Sequence, residues 1–199
     1  YEIVDCDWSS DVCSSDLSVG IREAIALHQQ GRVTEAEAAY EDVLRARPDH
    51  AAALSLLGLL TLKTDRPSRA AELLRRAVEL NPGDAAASAN LDAALNSLAT
   101  AAINRSAELH GLCRYEDALA AAREALTYAP DSPAAHTNAG LALHGLKRYD
   151  EALAAFDLAR NASPDDAIVN HHRGFTLYID RKSTRLNSSH SQQSRMPSS

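Results

Sequence analysis

Residues Pro133–Asp166 read PAAHTNAGLALHGLKRYDEALAAFDLARNASPDD, and the rest of the chain varies on that pattern. Pro130 to Pro164 is a step of 34 in the numbering, and so is Pro48 to Pro82. Counting back 12 from each proline reaches Ala36, Ala70, Ala118 and Ala152; counting back 16 reaches Arg32, Arg66, Arg114 and Arg148. Counting back 24 reaches the small residues Ala24, Gly58, Ser106 and Gly140. Counting back 8 reaches Tyr40, Leu74, Ala122 and Phe156, which are mostly bulky. Four columns that agree across four units mark an internal repeat.

Each column has a physical reason. Small residues 12 apart face one another on two antiparallel helices and let their backbones approach. The bulky column is expected to fill the groove between hairpins. Proline cannot continue a helix, and Asp or Gly follows it in Pro48-Asp49, Pro82-Gly83, Pro130-Asp131 and Pro164-Asp165. Between prolines the apolar spacing is helical, as in Tyr115, Leu119, Ala122 and Leu126. Two short helices cannot bury their faces alone, so neighbouring hairpins must stack, with Ala135 and Ala167 expected on exposed faces.

The stretches Arg148-Tyr149-Asp150-Glu151-Ala152-Leu153, Asn138-Ala139-Gly140-Leu141 and Arg114-Tyr115-Glu116-Asp117-Ala118-Leu119 resemble tetratricopeptide repeats. The resemblance covers nearly all of Ser18–Ile179 and implies an all-α, right-handed superhelical solenoid of antiparallel helical hairpins. Its units are 18–50, 51–84, 99–132 and 133–166, followed by a first helix, 167–179, cut off before its partner. The period breaks between Pro82 and Pro130, a step of 48, and leaves an extra helix at 85–98. No glycine or proline lies between Gly83 and Gly111, and Leu91, Leu95, Leu98, Ala102, Leu109 and Leu112 form a stripe. One long helix near 85–111 is predicted. A joint between mis-assembled pieces of sequence would give the same offset.

The ends read differently. A single DNA string that encodes Tyr1–Leu17 on one strand encodes Asp180–Arg195 on the other, sixteen consecutive residues without a mismatch. The string resembles the indexed adapter of short-read sequencing libraries. Segments 1–17 and 180–199 are therefore read as adapter-derived and set aside from the fold. With them go Cys6, Cys13, Trp8 and the basic, Ser-rich tail, each of which would otherwise invite a functional reading. What remains, Ser18–Ile179, lacks methionine, so it is expected to be an internal piece of a longer reading frame.

That stretch holds 38 alanines, 16 Lys+Arg and 21 Asp+Glu, a helix-forming composition with net charge −5. The balance argues against binding a phosphate backbone. No apolar run reaches membrane-span length and nothing resembles a signal peptide, so a cytoplasmic protein is expected. One cysteine, Cys113, gives no disulfide framework. It shares its turn position with Gly31, Asp65 and Lys147, a position expected to tolerate any residue.

Ser/His/Asp patterns, glycine-rich phosphate loops and cysteine-pair motifs are missing, so no enzyme, cofactor or metal is expected. His28, His110 and His144 share one repeat position, 20 before the proline. Helices 8–10 Å apart would keep them from converging on a metal. Adjacent His171 and His172 would point apart. Asn104 and Asn138 both lie 26 before their prolines, and Asn90 holds the same place in the extra helix. A carboxamide donates and accepts, which suits an extended peptide's backbone. A similar asparagine ladder marks the repeat arm of protein O-linked N-acetylglucosamine transferases, although Arg22, Leu56 and His172 interrupt it here. The function expected is a scaffold that binds a protein or peptide in its concave groove through Asn90, Asn104 and Asn138. The alternative is the substrate-recognition arm of a glycosyltransferase.

Overall fold

The computed structural model describes residues 10–193 of the chain, with side chains over 19–182. Every described element is an α-helix. Helices α1 (Ser10–Gln29) and α2 (Val33–Ala46) form a first hairpin, and α3 (Ala51–Lys63) and α4 (Pro67–Leu80) a second. Helix α5 (Ala85–Gly111) is followed by α6 (Tyr115–Tyr128), then by the hairpin of α7 (Pro133–Gly145) and α8 (Tyr149–Ala162), and by α9 (Ala167–Gln193). The all-α array of hairpins expected from the repeat is present, and α5 is one continuous helix. None of the described helices is long and apolar enough to cross a membrane. Contacts divide the chain into two compact units, Tyr1–Leu95 and Asn96–Ser199, with the division falling inside α5.

Backbone chemistry fixes both kinds of turn. Within a hairpin, Gly31, Asp65, Cys113 and Lys147 all have positive φ, between 56° and 74°. The amide of the following arginine donates to the carbonyl five residues back, as in Arg32 to Leu27 (3.0 Å), Arg66 to Thr61 (3.0 Å), Arg114 to Leu109 (2.9 Å) and Arg148 to Leu143 (2.9 Å). This is the left-handed helix stop that closes the last carbonyls of a helix. The position therefore has a conformational demand, contrary to the expectation that it tolerates any residue. Between hairpins, the residue two after each proline caps the next helix. His50 accepts from the amide of Ala53, Asp84 from Ala86 and Ala87, Ser132 from Ala135, and Asp166 from Ile168 and Val169.

The arginine column starts each second helix. Arg32, Arg114 and Arg148 pair with Glu35, Asp117 and Glu151 one turn on. Arg66 has Arg69 at that place and instead makes a two-pronged bond to Glu37 of α2 (2.7 and 2.8 Å).

The small and bulky columns meet. A Cβ on Gly58 would lie 2.5 Å from Leu74, and one on Gly140 would lie 2.6 Å from Phe156. Leu74 and Phe156 are wholly buried, and the column also reaches the next hairpin as the sequence reading expects, since Tyr40 clusters with Leu57 and Leu60 of α3 and Phe156 stacks on His172 of α9. Ser106, the small-column residue of its hairpin, donates its hydroxyl to the Ala118 carbonyl at 2.8 Å. All four residues of the alanine column are wholly buried. In the second unit the core gathers Leu119, Leu143, Phe156 and Val169 with alanines of α6, α7 and α8. Burying a ring such as that of Phe156 contributes on the order of 1.5–3 kcal/mol.

Two further residues depart from expectation. Leu112, placed on the α5 stripe, lies beyond the helix end and is 68% exposed. Ala135, read from sequence as exposed, is wholly buried with Ala102 and Ala125. Its helix packs on α5 through that face. At the ends, α1 begins at Ser10 and α9 runs to Gln193, so helix continues through parts of 1–17 and 180–199. Residues 1–9 and 194–199, within the segments read as adapter, lie outside the described residues.

Candidate functional site

The first helices of the second unit, α5, α7 and α9, share a face with an open cavity of about 370 Å³. His110 reaches it from the end of α5, Tyr115 from the start of α6, and Leu141, His144 and Gly145 from α7. Phe156 forms its floor from α8, while His171, His172, Phe175 and Thr176 close it from α9. The tight approach is set by Gly145, where a Cβ would lie 2.5 Å from the Tyr115 ring.

The rings meet in three groups. His110 lies 5.4 Å from Tyr115, His144 lies 5.4 Å from Tyr149 and 5.5 Å from Phe175, and His172 stacks on Phe156 at 6.2 Å. Thr176 donates its one hydroxyl hydrogen to the His172 carbonyl at 2.8 Å. The same oxygen lies 2.9 Å from Nδ1 of His144, within hydrogen-bond distance, which leaves Nε2 of that ring for another partner. Burial pushes the His144 imidazole below its ordinary value, and the charge of His110 adds to the shift. Burial likewise lowers His172, helped by His171, His144 and His110. At neutral pH both rings are uncharged.

The sequence reading keeps these histidines apart, and the structure corrects it in part. His28 lies in the other unit, 3.4 Å from the Tyr40 hydroxyl, its imidazole lowered by burial and then by Lys63. His110, His144, His171 and His172, however, all line one cavity. Among the described residues no group of three His, Cys, Asp or Glu side chains could hold a metal ion. The signal for this cluster was the shared position of His110 and His144, one helix away from His172. The packing of α9 on α7 and α8 brings them together.

The asparagines are placed unequally. Asn138 of α7 is half-buried and donates from Nδ2 to the Ile103 carbonyl of α5 at 3.0 Å, tying two first helices together. Asn104, the residue after Ile103, is exposed. Asn90 is half-buried on α5 and belongs to the other unit. Cys113 is a free, exposed thiol in the left-handed turn position.

A family model described as tetratricopeptide repeat matches residues 21–85 and 111–167, which leaves most of α5 between its two matches. Among solved structures, the chain is similar to the MamA protein at 22% identity, covering 77% of this chain and 95% of that one, with a TM-score of 0.39. It is similar to an O-GlcNAc transferase mutant of Thermobaculum terrenum at 30% identity, over 75% of this chain and 26% of that one, with a TM-score of 0.42. A thermophilic tetratricopeptide protein of Thermus thermophilus is 20% identical, over 81% and 99%, with a TM-score of 0.40. No curated protein matches. The matched hairpins, their proline-set period and their paired small and bulky columns agree, and the chain belongs to the tetratricopeptide repeat family.

Proposed function

We propose that this chain is a protein-interaction scaffold that binds an extended peptide along the first-helix face of its second unit. The observation that carries the reading is the cavity bounded by α5, α7 and α9, lined by imidazoles, a hydroxyl and aromatic rings and by no Asp, Glu, Lys or Arg. Such a face meets a peptide without asking for a particular charge. Asn104 and Asn138 lie on the helices that bound it. The Asn138 carboxamide, already donating to Ile103, keeps its oxygen free to accept from a peptide amide. Asn90, in the other unit, would contribute separately. No catalytic role is assigned to the chain.

The test is a calorimetric titration with an extended, Ser/Thr-containing peptide pool. Asn104→Ala should weaken binding several-fold without changing stability, as expected for one bond worth roughly 0.5–1.5 kcal/mol net. Asn138→Ala should weaken binding and also lower stability, because the Ile103 link is lost. The triple variant with Asn90→Ala, if still helical by circular dichroism, should bind least. Unchanged affinity in the folded triple variant would remove the asparagines from the site. The second reading, a substrate-recognition arm of a glycosyltransferase, rests on the recurrence of asparagine at one repeat position. It requires that bound peptides carry serine or threonine, so equal binding of a pool lacking both would count against it.

A further inference from the structure

We propose that the cavity between α5, α7 and α9 receives an uncharged aromatic side chain of the bound peptide, which deepens the groove reading above and rests on it. Asp, Glu, Lys and Arg are all missing from the residues that line the cavity. A charged side chain entering it would lose hydration without gaining a partner, whereas a ring would lose little. The walls themselves are rings, with Tyr115, His144, His172 and Phe175 presenting faces and edges at the spacings aromatic pairs prefer. A volume of about 370 Å³ lies at the lower end of ligand-binding cavities, suited to one side chain rather than a whole cofactor.

Two further observations point the same way. Along α9, Ile168, Phe175 and Tyr178 are 63%, 48% and 62% exposed and fall on one helical face. Phe175 belongs both to that stripe and to the cavity, so apolar side chains flank the opening together with exposed His171 on the same face. With Nδ1 of His144 engaged by Thr176, Nε2 remains to hydrogen-bond a phenol hydroxyl, which can both donate and accept.

Filling the cavity also makes protonation of its imidazoles harder. The groups facing His144 and His172 are His110 from α5, Tyr115 from α6, Tyr149 and Phe156 from α8, and His171, Phe175 and Thr176 from α9. None is a carboxylate that would stabilise an imidazolium. Occupancy by a ring should therefore fall as pH drops.

The experiment follows imidazole ring signals by NMR on the full 199-residue chain, with p-cresol as the probe and propionate as its anionic counterpart. At about pH 7.5, p-cresol should shift the His110, His144 and His172 signals saturably and leave His28 unmoved. Its affinity should fall several-fold near pH 5.5. It should also fall roughly fivefold in Phe175→Ala, where a half-exposed ring is removed at little risk to folding. Saturable shifts with propionate and none with p-cresol would overturn the proposal in favour of an anion pocket. Saturable shifts with neither, or equal p-cresol shifts at His28, would overturn it as well. If p-cresol binds as described and no peptide does, the pocket stands and the groove reading falls.

Discussion

At the tip of each complete hairpin one residue is held at positive φ, and only Gly31 of the four is glycine. A side chain there costs about 1–2 kcal/mol in general, less for Asp and Asn. Cys113→Gly and Lys147→Gly are therefore expected to raise stability by about 0.5–1 kcal/mol each in urea unfolding, after the greater freedom of glycine in the unfolded chain is deducted. Asp65→Gly should gain less, and Gly31→Ala should lose about 1 kcal/mol. No gain at Cys113 would mean that its thiol contributes something the turn geometry does not reveal. The sequence could not show this demand. Glycine, aspartate, cysteine and lysine share no property except the conformation imposed on them. The capping column is easier to read, since Asp84, Ser132 and Asp166 are of types that favour helix starts, and only His50 hides its role.

At the scale of the helix, the proline-set period made the repetition of hairpins legible, because proline and small residues act locally and recur in register. The partners of those small residues were less legible, since contact between helices depends on how far each one slides along the other. Ala118→Leu or Ala152→Leu should cost about 1–3 kcal/mol by overpacking, while Ala167→Leu, on an exposed site, should be near neutral. Ala135→Leu now belongs with the costly pair. Glycines divide the same way: Gly58→Ala and Gly140→Ala must displace Leu74 and Phe156, whereas nothing lies within 4 Å of a Cβ at Gly174. Gly174→Ala should stabilise α9 by up to about 1 kcal/mol through helix propensity alone. Denaturant titration that ranks all three glycines equally would refute the pairing. For α5, amide exchange should be slow without a gap across Leu98–Ala101, as its continuous helix requires.

For the molecule as a whole, acid should act before the carboxylates titrate. His144 and His172 sit below the ordinary 6.5, so the unfolded chain binds protons more readily than the folded one. The stability they permit is complete above that value and is lost as pH falls through their depressed range. Glu35, Glu37 and Glu151 are lowered from 4.5 by their arginines, so their contributions persist until pH drops further. Unfolding midpoints measured from about pH 7 to pH 5 should therefore decline. The decline should shrink in His172→Gln, and a flat profile would show that the second unit tolerates charge in its cavity. The cavity itself escaped the sequence reading because it is made by two hairpins and α9 at once, where each histidine in isolation looks like an ordinary polar residue on a helix. A last consequence comes from the matched columns. Gly140 has room for the Phe156 ring only because it lacks a side chain, while Ser106 at the matching position binds the Ala118 carbonyl instead. Helices from different hairpins are thus not interchangeable parts. Exchanging Tyr149–Ala162 for Tyr115–Tyr128 would leave a hole over Gly140, while moving both helices of a hairpin together would not. Drift at one column constrains the other, and gene segments of this array can recombine at the prolines but not at the left-handed turns.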